Sequence, residues 1–172
     1  MALSSCAQPS GSNKQLNVGD TIPYIILTDV INFPVSKIQL SDSANQYTLL
    51  DFWASWCGSC LKAIPKLDSL QKQFKKSLRI ILVNPKLAGD NEATLEKALR
   101  RATGTQRQQL SIPVVVADTV VSALFSFRAL PHYVWINRQG VVVAITNSAQ
   151  VNAANLKAFT KGRKLNLPLK PS

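Results

Sequence analysis

A chain of 172 residues that is 46% hydrophobic has enough apolar material for one buried core and reads as a single domain. Twenty Lys and Arg against nine Asp and Glu leave a net charge of +11, yet 17% charged residues is too few for a disordered chain. No stretch approaches the roughly 18 consecutive apolar residues of a membrane span, which excludes a spanning helix within this sequence.

In chain order, Leu3-Ser4-Ser5-Cys6-Ala7 comes first. It resembles the bacterial lipoprotein cleavage box, whose cysteine becomes lipidated, although the charged and apolar parts of a signal peptide do not precede it. Cys6 is the lipidation candidate; otherwise it is a stray thiol in a polar tail. Residues 1–17 read as a flexible tether, since Ala7 to Lys14 is rich in Gln, Pro, Ser and Gly. Tyr24–Thr28 and Lys37–Leu40 read as a short hairpin joined through Phe33-Pro34. Tyr47–Phe52 is a mostly apolar strand. Cys60–Phe74 carries Leu61, Ile64, Leu67, Leu70 and Phe74 at helical spacing. Arg79–Val83 is a second buried strand. Asp90 is expected to cap a helix through Leu95, Ala98, Leu99 and Ala102 that stops at Gly104. Pro113–Ala117 is a β-branched strand, followed by a short helix capped by Asp118 or Thr119 and running to Phe125. Tyr133–Ile136 and Val141–Thr146 form a hairpin across Asn137-Arg138-Gln139-Gly140. A last helix spans Ala153–Lys161 and stops at Gly162, leaving residues 163–172 as a basic tail with two prolines.

The basic residues are scattered, with small clusters at Lys72/Lys75/Lys76/Arg79, Arg100/Arg101 and Lys161/Arg163/Lys164. No recognition motif accompanies them, so nucleic acid is not an expected partner.

Trp56-Cys57-Gly58-Ser59-Cys60 carries the chemistry. Two thiols three positions apart at a helix start can close into a disulfide and open again. A Cys-x-x-Cys is also half of a zinc site, but a complete one needs two more ligands, for which the chain offers His132 and the remote Cys6. The redox reading is the better supported, with no metal expected. At a helix N-terminus the first cysteine meets unpaired N–H groups and the positive dipole end, which stabilise a thiolate. Cys57 is then the nucleophile and Cys60, one turn inside, the resolving thiol. Gly58 is expected to permit the tight turn, and Ser59 to bond to local backbone or to a sulfur.

Tyr47 through Cys60, with Asp51 and Phe52-Trp53-Ala54-Ser55 before the cysteines, resembles the thioredoxin active-site strand and turn. Pro65 matches the proline inside that fold's first long helix, Leu130-Pro131 matches its cis-proline, and Gly19-Asp20 through Ser41-Asp42 looks like the extra hairpin of the TlpA/ResA-type extracytoplasmic branch. The resemblance implies an α/β fold over residues 18–162: a three-layer α/β/α sandwich with a central mixed sheet and an added N-terminal hairpin. It implies a thiol-disulfide oxidoreductase with no cofactor beyond the Cys57–Cys60 pair. It also implies periplasmic client proteins with disulfides, an upstream thiol-disulfide electron donor, and a membrane tether if Cys6 is lipidated. Asp51 would be buried and accept the Cys60 proton, the alternative being a strand-end carboxylate in solvent. Pro131 would be cis, and Leu130 would offer its backbone to an extended client segment. Trp53 would pack under the active-site loop and Trp56 lie beside Cys57, where Trp56, Gly58, Ser59 and Leu130 form the client surface. Trp135 reads as core or sheet surface, His132 as a structural or surface histidine, and Lys62 and Lys66 as solvated lysines near Cys57. Ser59 stands where the family commonly has proline, a position that bears on the redox potential; the resemblance implies a reductant of client disulfides, the alternatives being an oxidant or isomerase on the same fold, or a non-catalytic module that binds an extended peptide beside Pro131.

Overall fold

Near-continuous apolar runs make strands that are buried on both faces, and β4 (Tyr47–Phe52) and β5 (Leu78–Pro85) are of this kind. They lie parallel at the centre of a six-stranded sheet in a computed structural model that describes residues 15–40, 46–104 and 110–170. Cys6 with its box, and the Ser41-Asp42 end of the expected hairpin, lie outside the described residues. β6 (Val114–Asp118) continues the parallel set, and β7 (His132–Ile136) and β8 (Val142–Thr146) add antiparallel to the other side. The edge beyond β6 is β2 (Val30–Ile31), giving the order β2-β6-β5-β4-β7-β8.

One face of the sheet is covered by α1 (Gly58–Phe74), α2 (Glu92–Thr103) and α4 (Ala153–Thr160). Ile64 and Leu67 of α1, Leu95 and Leu99 of α2, and Leu156 and Phe159 of α4 share a core with Leu49, Leu82, Val114 and Trp135. On the other face Ile22 and Ile25, the two-residue pair β1 (Ile26–Leu27) with β3 (Ile38–Gln39), and α3 (Val121–Leu124) cover Leu50, Phe52, Ile81, Val83, Val134 and Ile136. The sandwich thus has the expected central mixed sheet and added hairpin, with three helices on one face and one helical turn plus the hairpin on the other.

Two local expectations need correction. Among the described residues the hairpin is short, pairing Ile26–Leu27 with Ile38–Gln39 and adding a bond from the Leu40 N–H to Ile25 O, because Val30–Ile31 leaves it to pair with Val114–Val115 at the edge of the main sheet. Asp90 does not cap α2: Asn91 does, through a reciprocal pair of bonds with Thr94. Asp118 does serve the helix that follows it, accepting N–H bonds from Val120, Val121 and Ser122. At the β7–β8 turn, Asn137 Oδ1 accepts from Gln139 and Val141, and Gly140 has φ +76°, a left-handed conformation that favours glycine.

The basic segment after Gly162 lies against the domain. Leu165 and Leu167 pack on the helix-side core, and the Lys170 N–H donates to Ile145 O of β8 at 2.8 Å. The start of the domain covers the other end of the same edge strand, through Gly19 N–H to Val142 O and Val142 N–H to Asp20 O. An open row of strand donors and acceptors invites pairing with other chains, and both contacts reduce it.

Candidate active site

The site is built where β4 runs out of the sheet. Trp53 and Ala54 continue the buried strand, the Cys57 N–H donates back to Ala54 O at 3.1 Å, and α1 begins at Gly58 with Cys57 as its N-cap. The capping atom is sulfur: Cys57 Sγ accepts the Cys60 N–H at 3.3 Å, the contact that Ser, Thr or Asp oxygens make at other helix starts. No acidic residue stands in the first turn of this 17-residue helix to oppose negative charge on that sulfur. Ser59 Oγ lies 3.5 Å from Cys57 Sγ. Cys57 and Cys60 are joined in a disulfide, S–S 2.01 Å, with Cα atoms 5.3 Å apart. Cys57 keeps 6% exposure and Cys60 none, so an approaching partner reaches Cys57 first.

Gly58 departs from expectation in one respect. Its backbone is not left-handed, and a Cβ built there meets nothing within 4 Å, so the turn itself does not require glycine. What the missing side chain leaves is open space beside the disulfide.

Asp51 is fully buried in β4, paired across the strands with Tyr133. Alternation along the strand puts it on the same face as Leu49, the face that α1 covers. Burial pushes its carboxyl well above the usual carboxylate range. Tyr133 offsets this only weakly, since among the described residues neither carboxyl oxygen nor the Tyr133 hydroxyl has a partner in hydrogen-bond geometry. The Tyr133 hydroxyl is itself pushed up, by burial first and then by the neighbouring carboxylate. A solvated strand-end carboxylate is therefore ruled out; the carboxyl sits in an environment that favours its protonated form well beyond that of an exposed aspartate.

The Leu130–Pro131 bond is cis and immediately precedes β7. Among the described residues the Leu130 N–H and C=O have no hydrogen-bond partner. Beside it runs a groove of about 280 Å³ whose lining includes Trp56, Leu87, Phe127, Arg128 and Leu130. Trp56 is 67% exposed and is steadied by its indole N–H on Ala88 O at 3.1 Å, whereas Leu87 is fully exposed on the helical turn Lys86–Ala88. Trp53, by contrast, is wholly buried under the active-site turn, and Trp135 is a core residue bonded through its indole to Thr146 Oγ1. Lys62 and Lys66 are exposed on α1.

His132 is buried with its ring 5.7 Å from that of Phe52 and 5.2 Å from that of Phe127, and neither ring nitrogen has a partner among the described residues. Burial, helped by the Lys170 charge, lowers its pKa to about 4, so it is a neutral structural histidine at physiological pH. Among the described residues no three of His, Cys, Asp and Glu come together as metal ligands.

Asp90, assigned to a helix cap by sequence reasoning, instead holds the active-site turn. Its carboxylate accepts from the Ser55 N–H at 3.0 Å, from the Ser55 hydroxyl, and from Asn84 Nδ2 at 2.8 Å. Asn84 also reaches Trp53 O at 3.3 Å. One carboxylate thus ties the residue two before Cys57 to the end of β5. Its partner lies 35 positions away in the chain, so no local pattern announces it.

A disulfide of unequally exposed sulfurs at a helix N-terminus, over a buried carboxyl and beside an open backbone, defines a dithiol exchange centre on a thioredoxin-type scaffold. The description of the thioredoxin-like family matches residues 45–142. The thiol-disulfide oxidoreductase ResA of Geobacillus kaustophilus is 30% identical over 131 residues, covering 74% of this chain and 68% of that protein. The thioredoxin-like protein YneN of Bacillus subtilis is 27% identical, and the matched stretch spans 59% of its length. Among solved structures, a thiol:disulfide interchange protein DsbE from Chlorobium tepidum superposes with a TM-score of 0.65 at 23% identity, covering 85% of this chain and 99% of that one. StoA from Bacillus subtilis gives 0.62 at 21% identity, covering 82% and 99%. The chain belongs to the thioredoxin-like family, among its thiol-disulfide oxidoreductases.

Proposed function

We propose that this chain reduces disulfides in client proteins outside the cytoplasm. The Cys57 thiolate attacks a client disulfide, forming a mixed disulfide and releasing one client thiolate. Cys60, its proton passed to Asp51, attacks the Cys57 sulfur, closes the Cys57–Cys60 disulfide and frees the second client thiol. Two electrons move to the client, and an upstream dithiol donor returns two to the pair, with no cofactor. The observation that carries this reading is the contrast in exposure between Cys57 and Cys60 at the start of α1. The groove along Trp56, Leu87 and Leu130 offers apolar contact to an extended client segment. The extracytoplasmic setting and a lipid tether at Cys6 rest on the resemblance to the ResA branch and on the Leu3-to-Ala7 box.

The test is reduction of an insulin disulfide by the wild type and by Cys57→Ser, together with equilibration of the pair against thioredoxin and glutathione couples. A reductant loses all turnover on Cys57→Ser and equilibrates near the thioredoxin couple, about −270 mV. Equal behaviour of the two proteins leaves a peptide-binding module, and a potential near about −120 mV makes the protein an oxidant.

A further inference from the structure

Lys170 stands at the far end of the segment that follows α4, and it reaches the active-site side of the sheet. Its backbone N–H is pinned to Ile145 O at 2.8 Å, which fixes where its side chain starts. Its Nζ then donates to two carbonyls, Ala129 O and Pro131 O, the second at 2.8 Å. These carbonyls flank Leu130 on either side, and Leu130 itself is left without a hydrogen-bond partner among the described residues. An ammonium offers three donors and no acceptor, and here two of them hold carbonyls 39 and 41 positions away in the chain. Charge-assisted bonds of this kind are about twice as strong as neutral ones.

We propose that Lys170 is a positioning residue for client binding: its ammonium clamps the carbonyls on both sides of Leu130, so that the Leu130 N–H and C=O are presented in one orientation to an incoming strand. A strand that adds to a fixed donor and acceptor pays no ordering cost for them, whereas a loop that must first be ordered binds more weakly. Residues 163–170 are then part of the client site, with Leu165 and Leu167 anchoring the strap in the helix-side core and Lys170 delivering its effect. The inference rests on the client-reduction reading above.

The full chain carrying Lys170→Met keeps the stem and the backbone bond to Ile145 but removes the clamp; Lys170→Arg keeps a forked donor. Two readouts separate positioning from mere structure. The amide order parameter at Leu130 should fall in Lys170→Met from the rigid range near 0.85 to below about 0.6, while amides of α4 stay unchanged. KM for insulin disulfides should rise by about tenfold with kcat nearly constant, reaction with a small aromatic disulfide should be unaffected, and Lys170→Arg should restore most of the KM. An unchanged Leu130 order parameter overturns the clamp. An unchanged KM, or equal losses on the small and the protein disulfide, overturns its role in client binding. A wild type that reduces no protein disulfide overturns the proposed function instead, and the clamp is then judged on the order parameter alone.

Discussion

Two buried titratable groups lie at one end of the β4–β7 pair on opposite faces of the sheet, Asp51 on the α1 side and His132 against Phe52 and Phe127, and they pull stability in opposite directions with pH. Asp51 has its folded pKa raised by burial, so its favourable contribution is complete in acid and is lost as pH rises through the folded value. His132 has its folded pKa lowered from 6.5 to about 4. Its contribution is complete above 6.5 and disappears as pH falls towards 4, at a cost of about 3 kcal/mol once the unfolded ring is charged and the folded ring is not. Asp51→Asn should therefore stabilise the oxidised protein at neutral and alkaline pH, by on the order of 1–3 kcal/mol, and change little below the ordinary Asp range. On the proposed mechanism, in which Asp51 takes the Cys60 proton, the same variant should slow release of the reduced client. His132→Phe, which suits a pocket lined by Phe52 and Phe127, should remove most of the loss in acid. Urea unfolding of the three proteins from pH 4 to pH 9 checks both. If the Asp51→Asn curve runs parallel to the wild type, burial does not raise the Asp51 carboxyl; if the His132→Phe curve does, the ring is not what falls in acid.

At the scale of elements, the active-site turn and α1 divide their tasks between residues that look alike in sequence. The opening glycine of α1 has a helix-compatible backbone and empty space where a Cβ would stand. Gly58→Ala should leave folding stability equal or up to about 1 kcal/mol higher, because alanine loses less backbone freedom in a helix. If that space receives the client backbone, the same change should raise KM for protein disulfides while sparing a small disulfide. A destabilised Gly58→Ala in denaturant melts contradicts the geometry of the turn. Most elements at this scale were legible beforehand: β4 and β5 as continuous apolar runs, α1 and α2 by their 3.6-residue period, the Asn137–Gly140 turn by its composition. What was hidden depended on contacts made over long chain distances. Val30–Ile31 is too short to show any period, and only Val114–Val115 across the sheet makes it a strand. Asp90 and Asn91 are equally good caps locally; the need of Ser55 and Asn84 for an acceptor decides between them. Lys170 sits in a proline-containing basic run that reads as a tail, and nothing nearby in sequence points to Ala129 or Pro131.

Across the whole molecule, the two ends of the domain meet on one strand. Gly19–Asp20 covers β8 at Val142, and Lys170 covers it at Ile145, so the sheet edge next to the site is protected only while both ends stay in place. The segment that carries Lys170 is held by Leu165 and Leu167, each partly buried, while Leu169 is 56% exposed and adds little. Two half-buried leucines contribute about 1.5–3 kcal/mol together, at roughly 1.5–3 kcal/mol for a fully buried side chain. Removing residues 163–172 should therefore lower the unfolding free energy by about that amount without melting the sheet, since the core of β4, β5 and α1 is untouched. It should also uncover the Ile145 carbonyl on an edge strand with a mostly apolar sequence, Val142–Thr146. Association through that edge should then appear as a concentration-dependent rise in sedimentation coefficient. Lys170→Met, which keeps the segment and its bond to Ile145, should stay at the sedimentation coefficient of the wild type. Association in both variants, or in neither, would show that the segment does not guard the edge, and a stability loss well below about 1.5 kcal/mol would show that the two leucines do not hold it.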